Sequence, residues 1–175
     1  MKTNDNSNIK LIFIFDTIFK YKIKKMFCCF TNNKSKVESK VECAIKFIPP
    51  ITSGKVIKVY DGDTITIVSK LPYPESPLYK FSVRLNGIDC PEIKGETDDE
   101  KQCAQLAKKE LEDLILNKHI ILQNLDTEKY GRILADVYLD DLHLNNHMLT
   151  KCLAVKYDGG KKNNPISWLN YHYNK

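Results

Sequence analysis

Five side chains in this sequence have the types and spacing that phosphoryl chemistry needs: Asp63, Asp89, Glu92, Arg84 and Arg132. Arg84 and Arg132 are the only two arginines among 27 basic residues; the other 25 are lysine. A guanidinium is a planar, permanently charged fork that grips a phosphate through two parallel hydrogen bonds, whereas an ammonium acts as a hydrated point charge. Arginine kept at two sites in a chain that otherwise uses lysine points to a geometric requirement there. Asp63, Asp89 and Glu92 can supply oxygen ligands to a hard cation such as Ca²⁺ or Mg²⁺. A cation and two guanidiniums would stabilise charge on a five-coordinate phosphorus while a carboxylate orients or deprotonates the attacking water. Together these groups fit hydrolysis of a phosphodiester.

Each residue alone has a plainer role. Asp61-Gly62-Asp63 is common hairpin chemistry, Lys129-Tyr130-Gly131-Arg132 reads as a turn running into a strand, and Glu92 as a solvated loop acid. The joint pattern is what carries the chemical reading.

The elements that must position these groups are short strands followed by helices. Gly54 to Tyr60 (GKVIKVY) alternates apolar and polar residues as a half-buried strand does. Asp61-Gly62 is a two-residue hairpin signal, and Asp63 to Ser69 returns. Lys80 to Ile88 puts Phe81, Val83 and Leu85 on one face and Arg84 on the other. Ala104, Ala107, Leu111, Leu114 and Ile115 recur at helical spacing across Asp98 to Leu116, with Asp98, Asp99 and Glu100 suited to the helix start. Lys118 to Leu125 and Gly131 to Leu139 read as two further strands, Arg132 opening the second. Helices are expected over Leu144 to Lys151 and from near Pro165. The fold class is α+β, mainly β: a partly open five-stranded barrel of OB type with about three helices.

Charge divides the chain. Residues 1–46 hold 10 lysines against 4 acids, and residues 47–175 hold 17 basic residues against 18 acids. The body is near neutral, so polyanion binding there depends on locally placed cations and not on a broad positive field. Residues 1–46 read as a leader and linker, and 47–175 as the folded domain, with Pro49-Pro50 at its start. The apolar run Leu11 to Phe19 is interrupted by Asp16 and falls short of the roughly 20 residues that span a bilayer; it also lacks the form of a secretory signal. Met26 is a second start point. Cys28 and Cys29 beside lysines have the form of a lipid-plus-basic membrane anchor, set against the alternative of an unconstrained extension. The six cysteines show no CxxC pair, and free thiols in a reducing, intracellular compartment are expected.

The segments VIKVYDGDTITI, VRLNGIDCPEIKG and TEKYGRILADVYL, in this order and spacing, resemble the staphylococcal nuclease (thermonuclease) family across roughly residues 52–160. The resemblance implies an OB barrel with helices and a calcium-dependent phosphodiesterase that cleaves DNA and RNA with one Ca²⁺; a monomer is expected. It implies Asp63 and Asp89 as side-chain calcium ligands and Cys90 as a ligand through its backbone carbonyl, where the family usually has threonine. Glu92 matches the carboxylate that activates water, and Arg84 and Arg132 the phosphate-gripping arginines. Lys129, Tyr130 and Tyr157 match positions that contact the nucleotide, and Asp61 an outer-shell acid. Two departures stand out: an acidic loop after Glu92 (IKGETDDEKQ), and a long Pro-rich loop from Leu71 to Tyr79. The alternative, from another class, is a catalytically silent OB module that binds nucleic acid or protein. Retention of Arg84, Glu92 and Arg132 favours the enzyme.

Overall fold

The computed structural model describes residues 44–174. The expected leader features, including Cys28, Cys29 and the apolar run, lie outside the described residues. Five strands form the barrel: β1 (Ser53–Val59), β2 (Thr64–Lys70), β3 (Leu78–Leu85), β5 (His119–Thr127) and β6 (Ile133–Leu139). Their order is β3-β2-β1-β5-β6, and a parallel pairing of β3 with β6 closes the ring. All other neighbours in the ring are antiparallel.

Closure needs strongly coiled strands, and two irregularities supply the coil. In β1 the register with β2 shifts between Val56 and Lys58, so Val56 and Val59 both face inward despite being three residues apart. In β5 the register with β6 shifts between Gln123 and Asp126, where Asn124 adopts a positive φ of 51°. Val56, Ile65, Ile67, Val83, Leu85, Ile120, Ala135 and Val137 fill the barrel, each at most 1% exposed.

Helix α1 (Asp98–Ile115) covers one side and buries Cys103, Ala104, Ala107, Leu111 and Ile115. Thr97 caps it by accepting from Glu100 N at 3.1 Å, as a helix N-cap should. The β1–β2 hairpin turn presses against this helix: a Cβ on Gly62 would come within 2.8 Å of Ala107 Cβ and 2.9 Å of Cys90 Sγ. Helix α2 (Leu144–Thr150) and helix α3 (Trp168–Tyr173) complete the set of three. The third starts at Trp168 and not near Pro165, because Ser167 provides the cap, accepting from Asn170 N.

Three two-residue strands were not legible as periodic segments: β4 (Ile88–Asp89), β7 (Leu142–His143) and β8 (Val155–Lys156). The β4–β8 pairing matters most. It matches Asp89 to Val155 and Ile88 to Lys156, and Tyr157 N donates to Gly87 O at 3.0 Å. The C-terminal chain is thereby stitched to the segment that carries Asp89.

Candidate active site

Strand register assembles the site. Thr64 on β2 is the direct partner of Arg84 on β3, which sets Asp63 beside the Arg84 side chain. Val83 on β3 pairs with Ile133 on β6, which brings Arg132 to the same end of the barrel. Arg132 itself is the last residue of a tight turn. Gly131 has φ +82°, a conformation that favours glycine, and Glu128 N donates to Arg132 O at 3.0 Å across the turn.

A continuous chain of contacts results. Arg132 Nη1 donates to Thr64 Oγ1 at 3.2 Å, and Thr64 Oγ1 donates to Asp63 Oδ1 at 2.8 Å. Arg84 Nη1 reaches Asp63 Oδ1 at 2.9 Å, and its Nη2 lies 2.8 Å from Asp63 Oδ2 and 2.7 Å from Asp89 Oδ1. Lys162 Nζ lies 3.1 Å from Asp89 Oδ2 and 2.8 Å from Glu92 Oε1. The structure thus brings Asp63, Arg84, Asp89, Glu92 and Arg132 into one network. Both arginines are engaged by acids: Arg84 as described, and Arg132 by Glu128, which takes its Nε and, at 3.0 Å, its Nη2. Gripping a phosphate, as expected of both arginines, therefore needs an exchange of partners first.

Burial decides the electrostatics. The side chains of Asp63 and Asp89 are 4% and 1% exposed, and that of Arg84 is 13% exposed. Burial pushes the Asp63 carboxyl up to about 7, against the opposing pull of Arg84. Removing a carboxylate from water disfavours its charge, and the guanidinium offsets only part of that cost. Cys90 is buried, and burial pushes its thiol well above the usual range, so it is no nucleophile. Its contact with the group is through its amide, which donates to Asp63 Oδ2 at 3.4 Å. Asp61 Oδ1 accepts from Asp63 N at 3.1 Å and serves the turn.

These residues fit a hard divalent cation in one specific respect. Asp63, Asp89 and Glu92 share two cationic partners, Arg84 and Lys162, so carboxylate oxygens outnumber the cations that face them. Asp89 Oδ2 is buried and accepts no well-formed hydrogen bond; it only faces the Lys162 ammonium at 3.1 Å. Among the described residues no three His, Cys, Asp or Glu side chains converge as a metal cage. A cation here would complete its shell with backbone, water or substrate oxygens, as Ca²⁺ commonly does.

A cleft of about 630 Å³ opens beside Arg84 and is lined by Lys129, Tyr157, Glu128, Asn86, Gly87 and their neighbours. Lys129 and Tyr157 are therefore placed with Arg84. Tyr130 is not among the lining residues; it is 74% exposed, with Lys129 Nζ 4.9 Å from its ring centroid.

Several supporting residues escaped the sequence reading. Glu100 accepts from Glu92 N at 3.1 Å and so fixes the loop of Glu92. Asn145, 2% exposed, accepts from Val137 N and donates to Asn86 O and Ala135 O, anchoring the turn that leads to Asp89. Glu128 meets Arg132 across a turn and not along a helix, so their four-residue spacing gave no signal. Lys162 had no local signal, since it meets Glu92 across 70 residues. The acids Asp99 and Glu100 of the acidic loop are thus used within the fold: Asp99 accepts from Ser167 Oγ at 2.8 Å and Trp168 N at 2.7 Å.

A protein of Escherichia coli described as Protein ParB is 33% identical to this chain over 80 residues, which are 45% of this chain and 37% of that protein. The chain therefore aligns with little more than a third of that relative. A family model described as staphylococcal nuclease homologue matches residues 82–169, half of the chain. The matched span includes Arg84, Asp89, Glu92, Arg132 and Tyr157, while Asp63 precedes it and joins through the pairing of β2 with β3. The chain belongs to the staphylococcal nuclease homologue family.

Proposed function

We propose that this chain is a calcium-dependent phosphodiesterase that hydrolyses DNA and RNA with little sequence preference. The observation that carries the reading is the unbroken set of contacts from Arg132 through Asp63, Arg84 and Asp89 to Glu92. Asp63 and Asp89 would hold one Ca²⁺, with the Cys90 carbonyl as a further ligand. A bound cation supplies charge stabilisation at the phosphate.

The chain's own residues supply the rest. Lys129 and Tyr157 border the cleft beside Arg84 and hold the nucleotide there. Arg84 and Arg132 already have their forks oriented by carboxylates, so a phosphate replaces one anionic partner with another and the guanidiniums need little reorganisation. They then offset charge on the equatorial oxygens as the attacking and leaving oxygens align. Glu92, with its side chain 56% exposed, can reach solvent and take a proton from water, as a general base must.

The test uses the full chain with single-stranded DNA and RNA in a metal series. Cleavage with Ca²⁺ that stops on chelation is the expected result. Binding without cleavage under every metal would favour the silent OB module instead. Membrane association through Cys28, Cys29 and the leader lysines is a separate proposal: a Cys28/Cys29→Ser chain should then move from the membrane to the soluble fraction, and an unchanged distribution would exclude the anchor.

A further inference from the structure

The C-terminal chain crosses the candidate site between two fixed points. At one end Tyr157 N is bonded to Gly87 O, and at the other Asp99 holds Ser167 Oγ and Trp168 N. Lys162 lies between them and drops its ammonium between Asp89 and Glu92. The oxygens of the two buried aspartates differ in availability. Asp63 Oδ1 is taken by Arg84 and Thr64, Asp63 Oδ2 by Arg84 and the Cys90 amide, and Asp89 Oδ1 by Arg84. Asp89 Oδ2 is buried and lacks a hydrogen bond, and the ammonium of Lys162 faces it. An ion drawn to Asp89 has this oxygen to use, and it would lie about 2.3–2.6 Å from it. An ammonium 3.1 Å from the same atom would then sit close to a divalent charge and repel it.

We propose that Lys162 is a tethered counter-cation of the candidate metal site, one that a divalent ion must displace in order to bind. The proposal rests on reading Asp63 and Asp89 as that site. Lys162 neutralises Asp89 and clasps Glu92 on the same ammonium while no ion is bound. Arrival of the ion releases the ammonium and with it Glu92, so that occupancy of the site and freedom of the proposed base are coupled through one side chain. The displacement is small in structural terms: the side chain of Lys162 is 42% exposed, its four-carbon stem is flexible, and Gly159 and Gly160 lie in its loop.

The coupling predicts a specific metal dependence. Only the fraction of molecules with Lys162 swung away is competent to bind, so removing the ammonium raises apparent affinity by the inverse of that fraction. Calorimetric titration of the full chain with Ca²⁺ should show Lys162→Met binding roughly tenfold more tightly than the parent. Lys162→Gln, which keeps a polar end, should behave alike. Lys161→Met removes the same charge one residue away and should change affinity less than twofold. Thermal melts give a second readout: Lys162→Met should melt at or below the parent in chelator, and gain more than the parent from saturating Ca²⁺. A merely structural ion pair would lower both melts equally. Equal affinity in the parent, Lys162→Met and Lys162→Gln, or an equal gain from Lys161→Met, would overturn the proposal while leaving the metal site intact. If neither the parent nor any variant binds Ca²⁺, the metal site itself is wrong and the counter-cation role falls with it.

Discussion

Arg84 grips Asp63 with both arms of its guanidinium, at 2.9 Å to Oδ1 and 2.8 Å to Oδ2, inside a site where the acid is almost wholly buried. This is a fork-to-fork pair, and Asp89 shares the second arm at 2.7 Å. The same residue that is proposed to grip substrate phosphate is therefore also the main counter-charge of two buried acids. If the proposed roles hold, structure and catalysis would meet at Arg84 and separate at Arg132 and Glu92.

Arg84→Lys should accordingly lose both stability and activity. A single ammonium cannot reproduce three short contacts to two carboxylates, and it leaves buried oxygens without donors. The expected cost is about 1–3 kcal/mol, read from urea denaturation in chelator. A variant as stable as the parent would show that Arg84 is not the main partner of Asp63 and Asp89.

Arg132→Lys separates the two effects. Its side chain is 28% exposed and its pairing with Glu128 is close to the surface, so the stability change should stay below roughly 1 kcal/mol. Cleavage should nevertheless fall by about 10²-fold or more, as two parallel phosphate contacts become one. Glu92→Gln should show the same split, since its carboxylate is exposed. Undiminished cleavage in either variant would remove that residue from the mechanism.

Asn145→Ala tests the support beneath Asp89. The side chain satisfies Val137 N, Asn86 O and Ala135 O, at 2.9, 2.8 and 3.2 Å. Its removal takes the side-chain acceptor from Val137 N, while Ala135 O keeps Asn86 N as a donor at 2.9 Å, and should cost roughly 1–3 kcal/mol, with activity falling as the turn before Asp89 loosens. Denaturation and cleavage assays on the same preparation check both halves.

Much of this was legible in the sequence, for identifiable reasons. The alternation around Arg84 reports which way each side chain of β3 faces, and Asp61-Gly62 marks the hairpin, though not as the two-residue turn expected: residues 60–63 lie between β1 and β2, Val59 pairs with Ile65, and Gly62 does not have a positive φ. The helix over Asp98–Ile115 is carried by a 3.6-residue apolar repeat. What escaped is non-local or too short for periodicity. β4 and β8 have two residues each, and their pairing is fixed by the rest of the fold. The jobs of Asp99, Asn145 and Lys162 depend on partners far along the chain. Asp99 illustrates the limit: acids at a helix start suggested service to their own helix, whereas this one caps the N-terminus of α3.

Asp99→Ala should therefore loosen the start of α3, which keeps Ser167 as its own cap, and leave α1 unchanged, because α1 is capped by Thr97. Losing a carboxylate cap costs about 1 kcal/mol. Hydrogen exchange should quicken at Trp168–Tyr173 with little change in α1, and uniform exchange across both helices would contradict the assignment.

A pH effect follows from the contact between α1 and α2. Glu110 Oε1 lies 2.7 Å from His147 Nε2 and 3.6 Å from Lys151 Nζ. The hydrogen bond with His147 holds the Glu110 carboxyl below its ordinary value of 4.5; burial opposes it, and Lys151 adds to the lowering. A carboxyl whose value is depressed on folding stabilises the native state above its unfolded value, and that contribution disappears as pH falls through the folded value. The loss therefore belongs below pH 4.5. Glu110 is 31% exposed, so solvent screens the contact and its worth should be below roughly 1 kcal/mol. Urea denaturation at pH 6 and at stepwise lower pH should show Glu110→Gln less stable than the parent at the higher value, with the gap closing as the medium becomes acidic. A gap that stays constant across that range would mean the pair contributes through packing and not through the charge on Glu110.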